Sequence, residues 1–140
     1  MTTVASRTEL YAEVQQFYAD QMQRIDDRDI TGYAETFTED AEFEHTPGRP
    51  PARTRAGIVA DLVEFHKRFE TDPMQRRHWF NMINLRPQED GTIVSTAYCL
   101  VVKIRPGSAP EINPSTVVHD VLVRVDGNLL TRSRRVTHDG

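Results

Sequence analysis

His78 lies in the run RRHWFNMINLRPQED, which alternates in the manner of a sheet strand. Side chains on a strand alternate at period two, which predicts His78, Phe80, Met82 and Asn84 on one face. A histidine exchanges a proton near neutral pH, and a carboxamide orients an oxygen. Set among apolar rings, the two suit a pocket wall better than a sealed core, although a partly buried histidine beside a structural amide has the same pattern. Asp26, Asp27 and Asp29 crowd one helix end. Carboxylates there oppose the helix dipole, at about 0.3–1 kcal/mol each. Asp29 can cap the next helix and Asp27 can face water. Asp26 follows Ile25 at the edge of an apolar stripe and can point toward a cavity, or belong to a solvated acidic end. Further on, His119 and Asp120 fall on opposite faces of one strand, so one of them faces the cavity side. An Asp120 ion pair with Arg132 or Arg134 is the alternative to a role for Asp120 in a pocket. Acid–base chemistry by imidazole and carboxylate is what these residue types offer.

These groups are held by two kinds of element. Ser6 and Glu9 have capping-box spacing at the head of a helix expected from about Arg7 to Asp27. Its buried stripe is Leu10, Val14, Phe17, Gln21 and Ile25. A short helix from about Ile30 to Phe37 follows, with Asp29 as N-cap, and then a short strand from Ala41 to His45. Three prolines and a glycine make TPGRPPART a loop. Thr54 caps a third helix, expected to run to about Glu70. After Pro73 the pattern changes to strands: roughly Arg76–Leu85, Thr92–Ile104, Thr116–Val125 and Leu129–His138. Glu89-Asp90-Gly91 and Asp126-Gly127-Asn128 are tight hairpin signals, and the middle connection RPGSAPEINPS is longer. Helices first and an antiparallel meander after them predict an α+β domain. Three N-terminal helices packed on a curved antiparallel sheet would enclose a pocket. Tyr18, Tyr33, Trp79 and Tyr98 are candidates for its walls, though aromatic stripes also build plain core. Tyr98 needs a partner for its hydroxyl if buried.

Composition narrows the partners. A chain of 140 residues is expected to form one domain, residues 1–140. A formal charge of −4 gives no electrostatic case for nucleic acid or an anionic membrane. The single cysteine, Cys99, excludes an internal disulfide and a cysteine zinc site, and its context AYCLVV reads as a small buried hydrophobe. No HxH or HExxH spacing points to a metal, and no glycine-rich phosphate loop or GxSxG turn is present. His66 is expected to be structural. No apolar run approaches the ~18 residues of a membrane span, and MTTVASRTEL lacks the marks of a secretory signal. A cytoplasmic protein without metal or cofactor is expected.

The order of three helices, a short strand and a four-strand meander resembles the nuclear transport factor 2-like cone fold. FYADQMQRIDDRDITGYAETFTEDAEF, RHWFN, and HDVLVRVDG followed by RSRRV resemble its SnoaL-like branch. That branch includes small polyketide cyclases and dehydratases and is similar to the beta subunits of ring-hydroxylating dioxygenases. The resemblance covers nearly the whole chain. Its dehydratases, scytalone dehydratase among them, imply a catalytic aspartate at Asp26 and a histidine at His78, with Ile25 where they have a tyrosine. The cyclases imply a role for Asp120, and the mouth of the cone places His45 as a polar contact. The resemblance implies a cofactor-free dehydratase or cyclase for a small hydrophobic, aromatic polyketide-type molecule. Asp26 and His78 would move protons while Asp120, Asn84 and Tyr98 orient oxygens. The same resemblance allows a non-catalytic binding or scaffold protein, or an isomerase. An epoxide hydrolase of Asp–Arg–Asp type is disfavoured, because no arginine obviously pairs with the candidate acids in the pocket. The meander carries apolar residues on both faces: Val94, Leu100, Val102 and Ile104 on one, Ala97, Cys99 and Val101 on the other. Helices cover one face only, which predicts a homodimer.

Overall fold

The computed structural model describes residues 6–140; the first five residues of the segment read as lacking a signal lie outside the described residues. Helix α1 spans Arg7–Asp26 and begins where Ser6 Oγ accepts the Glu9 N–H at 3.1 Å. Val14, Tyr18, Gln21, Met22 and Ile25 form its buried stripe. Asp29 caps the short α2, Ile30–Ala34, by accepting the Gly32 N–H at 2.9 Å. A β-carbon at position 32 would stand 2.1 Å from the Asp29 carboxylate, so this close cap requires glycine.

The second helix ends three residues sooner than expected. Thr36 O already accepts the Thr131 N–H at 2.9 Å, so the chain has joined the sheet before Phe37. Strand β1 therefore covers Phe37–Glu44 and pairs in parallel with β6, Asn128–His138. A two-residue strand β2, Ala52–Arg53, forms within the expected loop. Helix α3 spans Thr54–His66 and is followed by a 3₁₀ turn at Lys67–Glu70. Thr54 Oγ1 accepts the Gly57 N–H at 3.2 Å, the capping contact expected of it.

The meander is β3 (Gln75–Pro87), β4 (Ile93–Ile104), β5 (Glu111–Val125) and β6. With β1 and β2 it makes one curved, open, mixed sheet of six strands, in the order β2-β1-β6-β5-β4-β3. Asp126 and Gly127, with φ of 53° and 83°, form the two-residue turn between β5 and β6. The helices lie on the concave face. Val14, Tyr18, Ile83, Ala97 and Leu122 close one end of the interior. Met22, Ile25, Tyr33, Phe37 and Ile58 line the other.

One irregularity decides which residues reach that interior. Asn81 pairs with Tyr98 and Asn84 with Thr96, so β3 carries one residue more than β4 across this step. Met82 absorbs the bulge at φ 53°. An extra residue swaps the face of every side chain beyond it. His78 and Phe80 point inward, as do Ile83 and Leu85, whereas Met82 and Asn84 point outward. The expectation that Asn84 shares the face of His78 is thereby overturned. Trp79 and Tyr98 lie on the outer face as well, 65% and 56% exposed. No described helix is long and apolar enough to cross a membrane.

Candidate active site

The end of α1 is fastened to the start of β3. Gln75 Nε2 donates to the Asp26 carbonyl at 3.0 Å, and Arg28 donates to the Met74 carbonyl. This brings Asp26 against His78, although 52 residues separate them. His78 Nδ1 lies 2.6 Å from Asp26 Oδ1, and the His78 backbone N–H donates to Oδ2 at 3.1 Å. One carboxylate thus fixes both the ring and its strand. A carboxylate can only accept, so Nδ1 carries the proton and Nε2 is left with its lone pair. Nε2 makes no hydrogen bond to the described protein, and the ring lines a cavity of about 530 Å³. The charge-assisted bonds, about 1.5–3 kcal/mol each, more than offset the dipole cost of an acid at this helix end.

Burial lowers the His78 pKa, and the nearby Arg76 cation acts in the same direction; the Asp26 hydrogen bond opposes both. The net direction is downward, so the imidazole is neutral at pH 7. A neutral ring with an oriented Nε2 lone pair is a general base, and its imidazolium, stabilised by Asp26, is the matching acid.

The cavity wall is otherwise mainly apolar, with Met22, Ile25, Phe43, Leu62, Phe80 and Val118 contributing. Cys99 also borders it, but burial pushes its thiol up to about 11, which removes it as a nucleophile. His45 stands at the wall as expected. Its Nε2 lies 2.6 Å from Asp61 Oδ2, a partner the sequence did not reveal, and Thr46 Oγ1 sits 3.2 Å from Nδ1. Both ring nitrogens are therefore engaged. His66 lines the same cavity, with Nδ1 bonded to the Leu62 carbonyl of its own helix at 2.8 Å.

Asp120 does face inward, but not into the cavity. It is sealed in an ion pair with Arg134, with side-chain exposures of 0% and 2%. Arg134 Nε and an Nη donate to its two oxygens at 2.9 and 2.7 Å. The Tyr18 hydroxyl is 2.8 Å from Asp120 Oδ2 and 2.8 Å from Ser95 Oγ. Tyr18 is thus a buried strut, not a cavity wall. Arg134 also donates to the Tyr33 hydroxyl at 2.8 Å and Gln21 Oε1 at 2.6 Å. Tyr33 and Arg134 do border the cavity. Burial alone would lower the Arg134 pKa, but Asp120 and the two tyrosines hold it well above its usual range. An arginine does therefore pair with a candidate acid beside the pocket, in the Asp120–Arg134 ion pair that was the alternative reading of the sequence. Its donors are taken up by protein acceptors, and Asp120 has no oxygen left to reach a ligand.

Asn84, Tyr98 and Trp79 take no part in this cavity. Asn84 and Tyr98 border a groove on the outer face instead, and Trp79 alternates with His78 and so must point away from it. Missed by sequence reasoning were Arg76, two residues before His78 on the same face, and Lys103; both border the cavity. Strand alternation from His78 was the signal that could have found Arg76. Among the described residues, no three His, Cys, Asp or Glu side chains converge to hold a metal ion.

A helical cover on a curved open sheet, with an Asp–His pair at the wall of an apolar cavity, defines a cone-fold protein of the nuclear transport factor 2-like class. The chain belongs to the SnoaL-like domain family, whose profile matches residues 6–135. It is similar to the solved structure of ActVI-ORFA from Streptomyces coelicolor, at 57% identity over 93% of this chain and 97% of that one, with a TM-score of 0.88. A Catenulispora acidiphila protein solved in complex with S-DNPA is 48% identical over 95% and 96% of the two chains, TM-score 0.87. Aln2 from a Streptomyces species is 38% identical over 98% and 95%, TM-score 0.87. No curated protein matches the chain.

Proposed function

We propose that this protein is a cofactor-free dehydratase or cyclase acting on a small, hydrophobic, aromatic polyketide-type intermediate, with Asp26 and His78 moving the proton. The observation that carries this is the neutral His78, gripped by Asp26 at 2.6 Å and presenting an unbonded Nε2 to an apolar cavity of about 530 Å³. That volume suits a molecule of two or three fused rings. The membership of the SnoaL-like family and the binding of a small molecule, S-DNPA, by a 48% identical relative support a small-molecule ligand.

The chemistry follows from the tautomer. Nε2 removes a proton from a carbon next to a carbonyl, and the C–H electrons pass into the enolate. The imidazolium so formed is stabilised by Asp26. It then returns the proton to a β-hydroxyl, the C–O bond breaks, and a carbon–carbon double bond and water result. If the enolate attacks a second carbonyl instead, a ring closes, the C=O π bond opens to an alkoxide, and the imidazolium gives it the proton. A direct test is to incubate the protein with an aromatic β-hydroxy ketone and follow the conjugated product by absorbance and the loss of water by mass.

The acid side of the pH profile should carry the mark of His78. A base whose pKa is lowered by burial stays active below the usual imidazole midpoint of about 6.5. The acid limb of kcat/KM is therefore expected to be centred below about 6.5. The same shift links to stability. Between the lowered folded-state pKa and ~6.5 the unfolded chain binds the proton and the folded one does not, so stability declines as pH falls through that window. An acid limb centred at or above about 6.5 would count against His78 as the base.

We also propose that the protein is a homodimer formed through the outer sheet face. Trp79, Met82, Tyr98 and Ile112 are each more than half exposed there, an apolar surface that isolated domains rarely leave in water. Light scattering is expected to give twice the mass of one chain at micromolar concentration, and Trp79→Asp to lower it toward one. A wild-type mass near a single chain would contradict the proposal.

A further inference from the structure

Arg76 and Lys103 are direct cross-strand partners on β3 and β4, and both side chains border the cavity. Like charges placed opposite one another weaken a strand pair. Their neighbours show how this chain usually treats a cation near the site. Arg105 holds Asp72 at 3.0 Å through two nitrogens and Glu111 at 3.1 Å. Arg134 is consumed by Asp120, Tyr33 and Gln21. Arg76 and Lys103 have no such partner: among the described residues neither side chain makes a hydrogen bond or ion pair to the protein. Asp26 is near Arg76, but His78 occupies both of its oxygens. Glu111, the cross-strand partner of Lys103 on β5, and Asp72 on the cavity rim are both taken by Arg105. No buried side-chain nitrogen lacks a partner, so the unbonded donors of Arg76 open onto the cavity. The guanidinium is also held in place, 5.2 Å from the centre of the Phe65 ring and 5.9 Å from that of Phe69.

From this juxtaposition we infer that Arg76 and Lys103 anchor a carboxylate carried by the aromatic ligand. The inference rests on the proposed function for its ligand class and adds the ionic group that the ligand must bear. Arginine offers a planar fork that meets a carboxylate through two parallel bonds, and lysine adds a point charge. The apolar wall then receives the rings. Arg76 and His78 are two residues apart on one strand face, a step of about 7 Å. An anchored carboxylate therefore fixes how far along the rings the carbon that faces Nε2 lies, which selects among the acidic C–H positions of a fused-ring substrate.

The test uses two probes of the same shape, 2-naphthylacetic acid and 2-naphthylacetamide, titrated calorimetrically into the full chain at low salt. The acid is expected to bind at least about 10-fold more tightly than the amide, as charge-assisted bonds require. That preference should collapse in Arg76→Gln, shrink in Lys103→Gln, return in part in Arg76→Lys, and persist in His78→Ala. Melting curves on each variant establish that it is folded, and the wild-type comparison stands without any variant. Equal affinity for acid and amide in the wild type, or an unchanged preference in folded Arg76→Gln, would overturn the anchor while leaving the proton-transfer pair intact. If neither probe bound the wild type, the aromatic ligand class and the anchor would fall together.

Discussion

Replacing His78 by alanine is expected to lower turnover by about 10²-fold or more, while the protein still folds. Nε2 of this ring is the nitrogen of the Asp26–His78 pair that the described protein leaves unbonded, and the ring lines the cavity, so the substitution removes the proposed base. Asp26→Asn has a similar effect. The amide keeps the shape but carries no charge to fix the Nδ1–H tautomer or stabilise an imidazolium. The double variant loses little beyond either single one, because residues that act as a unit are strongly non-additive. A merely structural histidine gives a different pattern. Its loss would lower stability by about 1–3 kcal/mol, and turnover would fall only with the folded fraction. Melting curves and single-turnover rates on the three variants separate the two. Equal losses of rate and stability in His78→Ala, with Asp26→Asn silent, would remove the pair from the mechanism.

The second large effect is on stability and lies at Asp120. Asp120→Ala leaves the Arg134 guanidinium and the Tyr18 hydroxyl buried without their acceptor. Removing one partner of a buried ion pair costs about 3–5 kcal/mol. Denaturant unfolding is expected to show a loss of this size, and rates corrected for the folded fraction to change far less. Replacing both members by apolar residues of similar volume, Asp120→Leu with Arg134→Met, is expected to recover much of the loss, because no charge then remains uncompensated. An Asp120→Ala variant that melts like the wild type but has lost its turnover would return Asp120 to the chemistry.

Local signals made much of the fold legible. The stripe on α1, the Ser6 and Asp29 caps and the Asp126-Gly127 turn depend on residues close in sequence, and each formed where those residues dictate. What escaped is non-local. The parallel pairing of β1 with β6 joins segments some ninety residues apart, and polar Thr38, Glu39 and Asp40 hid the early half of β1. The bulge at Met82 carries no glycine or proline to announce it, yet it alone moves Asn84 to the outer face. Tyr98 failed for another reason. Both faces of β4 are apolar, so alternation separates two sets of residues without saying which is inside. Within the site, the meeting of Asp26 and His78 came from family resemblance, since no spacing rule links positions so distant. Arg76 was within reach of simple alternation from His78. It was passed over because an arginine on a strand is ordinarily read as surface.

The proposed role of His78 requires a neutral ring whose Nε2 lone pair faces the cavity, and that state can be measured without a substrate. Nitrogen NMR of protein labelled with ¹⁵N-histidine reports the protonation of each ring nitrogen as pH is varied. The His78 signals are expected to show Nδ1 protonated and Nε2 bare at pH 7, with titration only below about 6.5. A His78 ring that is doubly protonated at pH 7, or that carries its single proton on Nε2, would contradict the account.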